Sequence, residues 1–417
     1  MTAVTLDTGN AAARGARALA VARWATIVAA CSVMVSPPLA NAAMAVMLVG
    51  LFASGQAGPR LRQACMQPLG VGTLALLAVI LAAMLWSEVP WSDRWRAVWS
   101  WRKLWMIPIV LALFGPLLWK RRLLVAYVAV CGVAVLISFG IVVVLGALPT
   151  TVEDLAGSLL RNHSAQSMAF AAAAFISLWL SGDTGLSRRG RIAAAAFAAL
   201  FVLNMAFVTP GRSGFLALGV MLLVFGAFNL RGWRSALIAV VPALLLAGAM
   251  AASPLARDRI SLAVNEWQNA TTLGYKTSMG IRAVLYENTL ELVRERPWFG
   301  TGTGGYGAAY AAHVKDKYTD WRVLLTVDPH SQYLFFLAEQ GIFGLAVFLL
   351  FIGLALADRG DGTRARVVAI GMLLGWCATS LLSSHFKTFA EGHLLALVLA
   401  AMLARPVRRL DAERAPA

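Results

Sequence analysis

The residue types best suited to chemistry in this chain are one histidine and a few cations. His330 stands in Asp328-Pro329-His330-Ser331, directly before a long apolar run. With Asp328 as the N-cap and Pro329 as the first helical residue, His330 would lie in the first turn of a helix. The helix dipole disfavours an imidazolium there, so the ring would stay neutral and could accept a proton. An interfacial histidine with an ordinary hydrogen bond fits this position equally well.

Several segments between apolar runs each present a cation. Arg212 follows a tight turn at residues 209–211, where a guanidinium at a membrane face is costly unless it meets an anion or a carboxylate. Its planar fork suits phosphate oxygens. Arg282, Arg161 and Lys387 occupy comparable positions, and snorkelling to lipid headgroups is the alternative for these cations. Because the cations come from distant segments, the pattern predicts one assembled anion site.

The sequence contains no pattern typical of a metal site. No Asp-x-Asp pair occurs in the connectors that would lie outside the cell membrane, and neither HExxH nor GxSxG is present. The four cysteines lie in or near apolar runs without metal-ligand spacing, so neither a disulfide nor a zinc site is expected. We therefore expect a metal-independent reaction without a cofactor.

Two further features favour structural roles. The glycine-rich stretch 300–305 lacks the preceding strand and βαβ unit of a dinucleotide site, so it predicts turns that allow close backbone approach. Glu339 lies nine residues after His330, about half a turn out of phase on a regular helix. Glu339 is therefore predicted to stabilise helix packing and not to orient His330.

An amphipathic helix is predicted at 281–296, ended by Pro297.

Composition indicates the fold class, an all-α polytopic membrane protein. Apolar residues make up 59% of the 417 residues and charged residues 13%, which leaves too little interior for a soluble fold. We predict a single integral membrane domain over 1–417 with about twelve transmembrane helices and one long loop, 253–329, between the ninth and tenth. The predicted spans lie near 18–36, 39–55, 69–87, 102–119, 123–147, 165–181, 191–208, 213–229, 235–252, 331–357, 366–382 and 388–404.

The net charge of +16 is explained by membrane topology and does not indicate nucleic acid. Lys and Arg fill every second connector, and such connectors stay in the cytoplasm. Both termini are then cytoplasmic and the long loop is periplasmic. Trp91, Trp95, Trp99 and Trp101 interleave with cations on the outer side, which predicts an interfacial aromatic belt.

Taken in order, these motifs resemble the O-antigen ligase family, within the superfamily of O-antigen ligases and polymerases. The family often has Asn after the histidine, and Ser331 departs from that pattern. The resemblance begins near the sixth predicted span. Its residues are Gly211-Arg212-Ser213, Gly280-Ile281-Arg282, Pro297-Trp298-Phe299-Gly300-Thr301-Gly302, and His330-Ser331-Gln332-Tyr333-Leu334 running on to Glu339, Gly341 and Gly344.

The resemblance implies a membrane-embedded (GT-C-like) glycosyltransferase of lipopolysaccharide biosynthesis in the bacterial inner membrane. The donor would be O-antigen on undecaprenyl pyrophosphate, and the acceptor a sugar hydroxyl of the lipid A core on the periplasmic face. It implies His330 as the base and Arg212 and Arg282 as pyrophosphate ligands, while position adds Arg161 and Lys387. Direct displacement would invert the anomeric carbon.

Alternatives remain at this point. An O-antigen polymerase or a protein O-oligosaccharyltransferase of the same superfamily shares the donor and the motif, and a transporter of the lipid-linked glycan is a different class. The glycan, the acceptor hydroxyl and the oligomeric state stay open. The roles of His163, His313, His385 and Glu339 stay open as well.

Overall fold

The computed structural model describes residues 2–145, 159–160, 162–209, 211–229, 244, 246–268, 277–323 and 325–407. These residues are mainly helical, and no strand occurs among them. The helices are α1 (Thr2–Ser32), α2 (Pro37–Ala53), α3 (Ala57–Met66), α4 (Pro68–Ala82), α5 (Trp91–Ser100), α6 (Lys103–Leu113), α7 (Leu117–Leu145), α8 (His163–Ser181), α9 (Arg188–Phe207), α10 (Arg212–Asn229), α11 (Pro254–Gln268), α12 (Ser278–Glu295), α13 (Tyr306–Val314), α14 (Gln332–Ala357), α15 (Ala365–Thr379) and α16 (Phe389–Leu403).

Local sequence explains where many of these helices begin. Ser36 caps α2 by accepting a hydrogen bond from the N–H of Leu39, and Pro37 follows at the first helical position. Asn162 caps α8 and Ser187 caps α9 through equivalent side-chain contacts. The predicted amphipathic helix is confirmed as α12, which Thr277 caps and which ends directly before Arg296 and Pro297.

The last helix, α16, forms the centre of the bundle. Every residue from Ala390 to Leu403 is buried, which is typical of a helix surrounded by other helices. It packs against α6 and α15, and the indole N–H of Trp376 on α15 donates to the carbonyl of Glu391 at 3.1 Å. Helices α4 and α14 pack together, as do α8, α9 and α10. The connector between α15 and α16 therefore leads directly into a fully buried helix.

Within the described residues, four helical segments are long and apolar enough to cross a membrane, namely Leu117–Val144, His163–Ser181, Arg188–Phe207 and Gln332–Ala357. Helices α2 and α3, bent by 112°, could make a fifth span together, and α4, Arg212–Phe228, α15 and α16 are shorter apolar helices. The predicted spans overlap with helices wherever the structure describes them, and the count of twelve stays a prediction. The ninth, 235–252, lies largely outside the described residues.

Ion pairs gather the basic connectors at one end of the bundle. The Lys120 ammonium lies 2.6 Å from Asp361, and the Arg121 guanidinium lies 2.6 Å from Asp183. Arg405, after α16, pairs with Asp358 at 2.6 Å. These connectors were predicted to share the cytoplasmic face, and the contacts show that they share one end of the protein.

The tryptophan-rich segment forms α5 and corrects one prediction. Trp91, Trp95 and Trp99 are more than half exposed, and Arg94 stacks on the Trp91 ring at 4.5 Å. Trp101, however, is only 2% exposed because the chain turns after Ser100 and directs this indole against Phe336. The predicted belt therefore consists of three tryptophans, and Trp101 belongs to the core.

Candidate active site

One face of α12 holds the connector that joins α15 to α16, which we call the outer turn (Ser380–Thr388). Arg282 and Tyr286 are four residues apart and therefore project from the same face of the helix. Arg282 Nε donates to the carbonyl of Leu382 at 2.9 Å, and the Tyr286 hydroxyl donates to the carbonyl of Leu381 at 2.7 Å. The helix is thus fixed to the outer turn at two successive carbonyls.

The segment that carries His330 joins the same face of α12, in a conformation that the sequence did not predict. Helix α14 begins at Gln332 with Ser331 as its N-cap, so His330 precedes the helix. Asp328 does not cap it. Its Oδ1 instead accepts the N–H of His330 at 2.8 Å, a local turn that competes with helix initiation. The His330 carbonyl lies 3.2 Å from the Tyr286 hydroxyl oxygen and shares the single proton of that hydroxyl with the closer carbonyl of Leu381.

The electrostatics of His330 agree with a neutral ring, for a different reason from the one predicted. Burial lowers the pKa of the imidazole, and the positive charge of Arg282 acts in the same direction. The carboxylate of Asp328 opposes both by raising the pKa. The ring is therefore available as a proton acceptor near neutral pH. Desolvation, and not the predicted helix dipole, keeps it neutral.

Arg212 and Arg282 meet at one hydroxyl. The Ser278 Oγ accepts Arg282 Nη1 at 2.7 Å and lies 3.5 Å from Arg212 Nη2. Arg212 Nη1 is shielded from solvent and has no hydrogen-bond partner among the described residues, with Glu266 Oε2 3.9 Å away. Burial lowers the pKa of Arg282, and the charge of Arg212 lowers it further. Two adjacent guanidiniums with a spare donor form a site that an anion would stabilise.

Lys387 lies on the outer turn beside the His330 segment. Its ammonium donates to the carbonyl of Val327 at 2.9 Å, lies 4.0 Å from Asp328 Oδ2 and stacks 3.7 Å from the Phe335 ring centre. These contacts place it beside Asp328. Arg161, the remaining cation of the predicted site, lies outside the described residues.

The glycine-rich motif after α12 holds α14 together where that helix breaks. Gly341 has φ of 67° and ψ of −166°, which interrupts α14 and frees carbonyls. The carbonyls of Ala338 and Glu339 accept the N–H groups of Thr301 and Gly302 at 2.9 and 2.8 Å. A side chain at Gly300 or Gly341 would collide with the opposite backbone. The predicted close backbone approach is therefore confirmed, and its partner is the broken helix.

Glu339 stabilises this junction. Its carboxylate is buried and accepts the N–H of Gly304 at 3.1 Å and the amide of Gln340 at 3.3 Å. These contacts fit the predicted packing role.

Several residues of the site were missed by sequence reasoning. Tyr286 could have been found, because it follows Arg282 by four residues on a predicted helix. The Ser384 hydroxyl donates to Asp328 Oδ1 at 2.6 Å, and no sequence pattern indicated this contact. His385 is 2% exposed, and neither ring nitrogen has a partner among the residues that the structure describes.

The other histidines lie in different surroundings. His313 on α13 lies 2.8 Å from Glu291, in a contact that holds α13 to α12. His163 is the first residue of α8.

The segment that carries both arginines and His330 resembles a known family. A family model described as O-antigen ligase matches residues 196–349. This part of the chain, from within α9 to within α14, is similar to the O-antigen ligase family. A search of curated proteins gave no match. Members of this family are glycosyltransferase-like enzymes, both ligases and polymerases, which act on lipid-linked polysaccharide in a membrane.

The O-antigen ligase match contains Arg212, Arg282 and His330 and ends within α14. The outer turn, with Lys387, lies beyond the matched residues, although α12 and the His330 segment are both bonded to it. The candidate site therefore combines residues of the matched segment with a connector that lies beyond it.

Proposed function

We propose that this protein is an O-antigen ligase that transfers O-antigen from undecaprenyl pyrophosphate to a sugar hydroxyl of the lipid A core. The transfer takes place on the periplasmic face of the bacterial inner membrane, without metal, and inverts the anomeric carbon. The donor and acceptor are those that the family implies. The cytoplasmic end of the protein is then the end that carries the ion-paired basic connectors.

The observation that carries this proposal is the shared face of α12. Arg282 on this face forms a cation pair with Arg212 over Ser278, and Tyr286, one turn further, holds the backbone of His330. Two guanidinium groups and the backbone of His330 thus lie at neighbouring points of one helix. This is the combination that transfer from a pyrophosphate to a hydroxyl needs.

The mechanism is a direct displacement. His330 takes the proton of the acceptor hydroxyl as the oxygen forms its bond to the anomeric carbon from the face opposite the pyrophosphate. The bond from the anomeric carbon to the pyrophosphate oxygen breaks, and its electron pair goes to that oxygen. Arg212 and Arg282 stabilise the growing negative charge, so the leaving group departs as the lipid pyrophosphate. Lys387 adds positive charge near the His330 segment.

The choice between ligase and polymerase is made by the acceptor. The purified protein is supplied with the lipid-linked glycan and either lipid A core, a second lipid-linked glycan or an acceptor protein, and the products are separated on a gel. The ligase assignment expects product only with lipid A core. Longer glycan on the lipid carrier would show the polymerase alternative, and a glycosylated protein would show the protein O-oligosaccharyltransferase. The transporter alternative gains no support from the family match.

Metal independence gives a direct prediction. The proposed pyrophosphate site holds two guanidinium groups, those of Arg212 and Arg282, which meet at the Ser278 hydroxyl. Transfer in excess EDTA is therefore expected to stay within about twofold of the untreated rate, since guanidinium groups supply the charge stabilisation. Activity that EDTA abolishes and that Mg²⁺ or Mn²⁺ restores would contradict this mechanism.

The orientation is tested by labelling with a membrane-impermeant thiol reagent. Single cysteines are introduced into a variant whose four native cysteines are replaced by alanine. The two sites are Ala312 on α13 and Arg359 at the ion-paired end, both of which are exposed. In intact spheroplasts, Ala312→Cys is expected to react and Arg359→Cys to react only after permeabilisation. The reverse pattern would place the proposed active site in the cytoplasm.

A further inference from the structure

His330 has a backbone conformation that residues with a side chain seldom adopt. Its φ is 56°, and it is the one residue other than glycine with a positive φ in the described part of the chain. Such a conformation persists only where the surrounding structure holds it, and it is most common at functional sites. Here the N–H donates to Asp328 Oδ1 at 2.8 Å, and the carbonyl lies 3.2 Å from the Tyr286 hydroxyl, whose proton it shares with the carbonyl of Leu381.

The same carboxylate also holds the outer turn. Ser384 Oγ donates to Asp328 Oδ1 at 2.6 Å, although the two residues are 56 positions apart in the chain. Lys387 Nζ lies 4.0 Å from Asp328 Oδ2. One carboxylate thus connects the backbone of His330 to a hydroxyl and a cation of the outer turn.

We propose that Asp328 is the positioning residue of the transfer reaction. Its carboxylate holds His330 and the outer turn in register, and it supplies the negative charge that faces the imidazolium after proton transfer. This inference rests on the proposed function, in which His330 is the base.

The charged and titratable groups around His330 come from three elements. Arg282 and Tyr286 face it from α12, His385 and Lys387 lie on the outer turn beside Asp328, and Asp328 belongs to the segment of His330 itself. Burial and Arg282 lower the pKa of His330, and Asp328 raises it. Removal of the carboxylate charge therefore lowers the pKa of His330 further and makes it a weaker base.

Asp328→Asn tests the charge, because the amide keeps an oxygen that can accept the His330 N–H. We expect kcat to fall on the order of tenfold, with KM for the donor nearly unchanged, and the acid limb of the pH–rate profile to move to lower pH. Asp328→Ala removes the acceptor as well and should lose about 10²-fold. Asp328→Glu keeps the charge but moves the carboxylate by the length of one methylene group. Its rate should therefore fall, while the acid limb stays at the pH of the unmodified enzyme.

Asp320→Asn is the matched control. Asp320 lies in the same loop and is paired with Arg322 at 2.8 Å, and both groups are largely exposed. This variant should keep the rate and the pH profile. A movement of the acid limb in Asp320→Asn equal to that in Asp328→Asn would show a general charge effect and overturn the proposal.

A second measurement follows His330 without relying on activity. Modification of the imidazole by diethyl pyrocarbonate, measured on the His330 peptide by mass spectrometry, depends on the fraction of neutral ring. The midpoint of this modification is expected to move to lower pH in Asp328→Asn. If neither the midpoint nor the acid limb moves, the proposal is overturned. If the midpoint moves and the acid limb stays, the influence of Asp328 on His330 stands, while the base role in the proposed function fails.

Discussion

Replacement of His330 by alanine is expected to slow glycan transfer by about 10²–10⁴-fold, the range that loss of a general base typically costs. The loss should appear in kcat, because Arg212 and Arg282 remain bonded to Ser278 and the donor still binds. Initial rates at increasing donor concentration measure it, together with donor binding to the variant.

His330→Gln separates a base from a hydrogen-bonding group. Glutamine can hold a substrate hydroxyl but cannot take its proton, so this variant should be nearly as slow as His330→Ala. The matched control is His313→Gln on α13, whose imidazole contacts Glu291 and should not affect the rate. A folded His330→Gln enzyme that binds donor and works near the normal rate would exclude the base role.

The pH dependence carries the same test. The active form is the neutral imidazole, so the rate rises with pH through the pKa of His330 and is full above it. Burial lowers this pKa below the ordinary value for histidine, about 6.5, so the acid limb should lie below that pH. The acid limb should vanish in His330→Ala. An acid limb that remains in this variant would show that another group titrates there.

Loss of either guanidinium of the cation pair is expected to cost about 10²–10³-fold in transfer, the range for one donor that stabilises developing negative charge. Arg212→Lys keeps the charge but loses the planar fork, so its rate should lie between those of Arg212→Ala and the unmodified enzyme. The double variant with Arg282→Ala should lose less than the product of the single losses, because both side chains share Ser278.

Arg294→Ala is the matched control for Arg282→Ala, since Arg294 is exposed in the last turn of the same helix. It should leave the rate unchanged. Saturating donor separates two roles for Arg212: a binding defect is rescued, and a defect in stabilising the departing pyrophosphate stays in kcat. Near-normal activity in both Arg212→Ala and Arg282→Ala would make these residues lipid anchors and remove the pyrophosphate site.

The helices were predictable because their signals are local. An apolar run of about 20 residues between charged or glycine- and proline-rich connectors specifies a helix by itself, as α8 and α9 illustrate.

The boundary before α14 was not predictable in the same way. Asp328 and Pro329 form a good helix start in sequence, but the Asp328 carboxylate is occupied by the His330 N–H and by Ser384. Competition from a distant hydroxyl moved the helix start to Gln332.

Composition and hydropathy predicted a helical membrane protein, and the ordered motifs indicated Arg212, Arg282 and His330. Their placement around one face of α12 is visible only in the tertiary structure. Ser278, where both guanidiniums meet, is 66 positions from Arg212, and the outer turn that receives Arg282 is 100 positions away. Hydropathy and spacing report how a segment folds along its own axis. Contacts between side chains and carbonyls of distant segments depend on how the helices pack, so the left-handed conformation of His330 and the break at Gly341 emerged only from that packing.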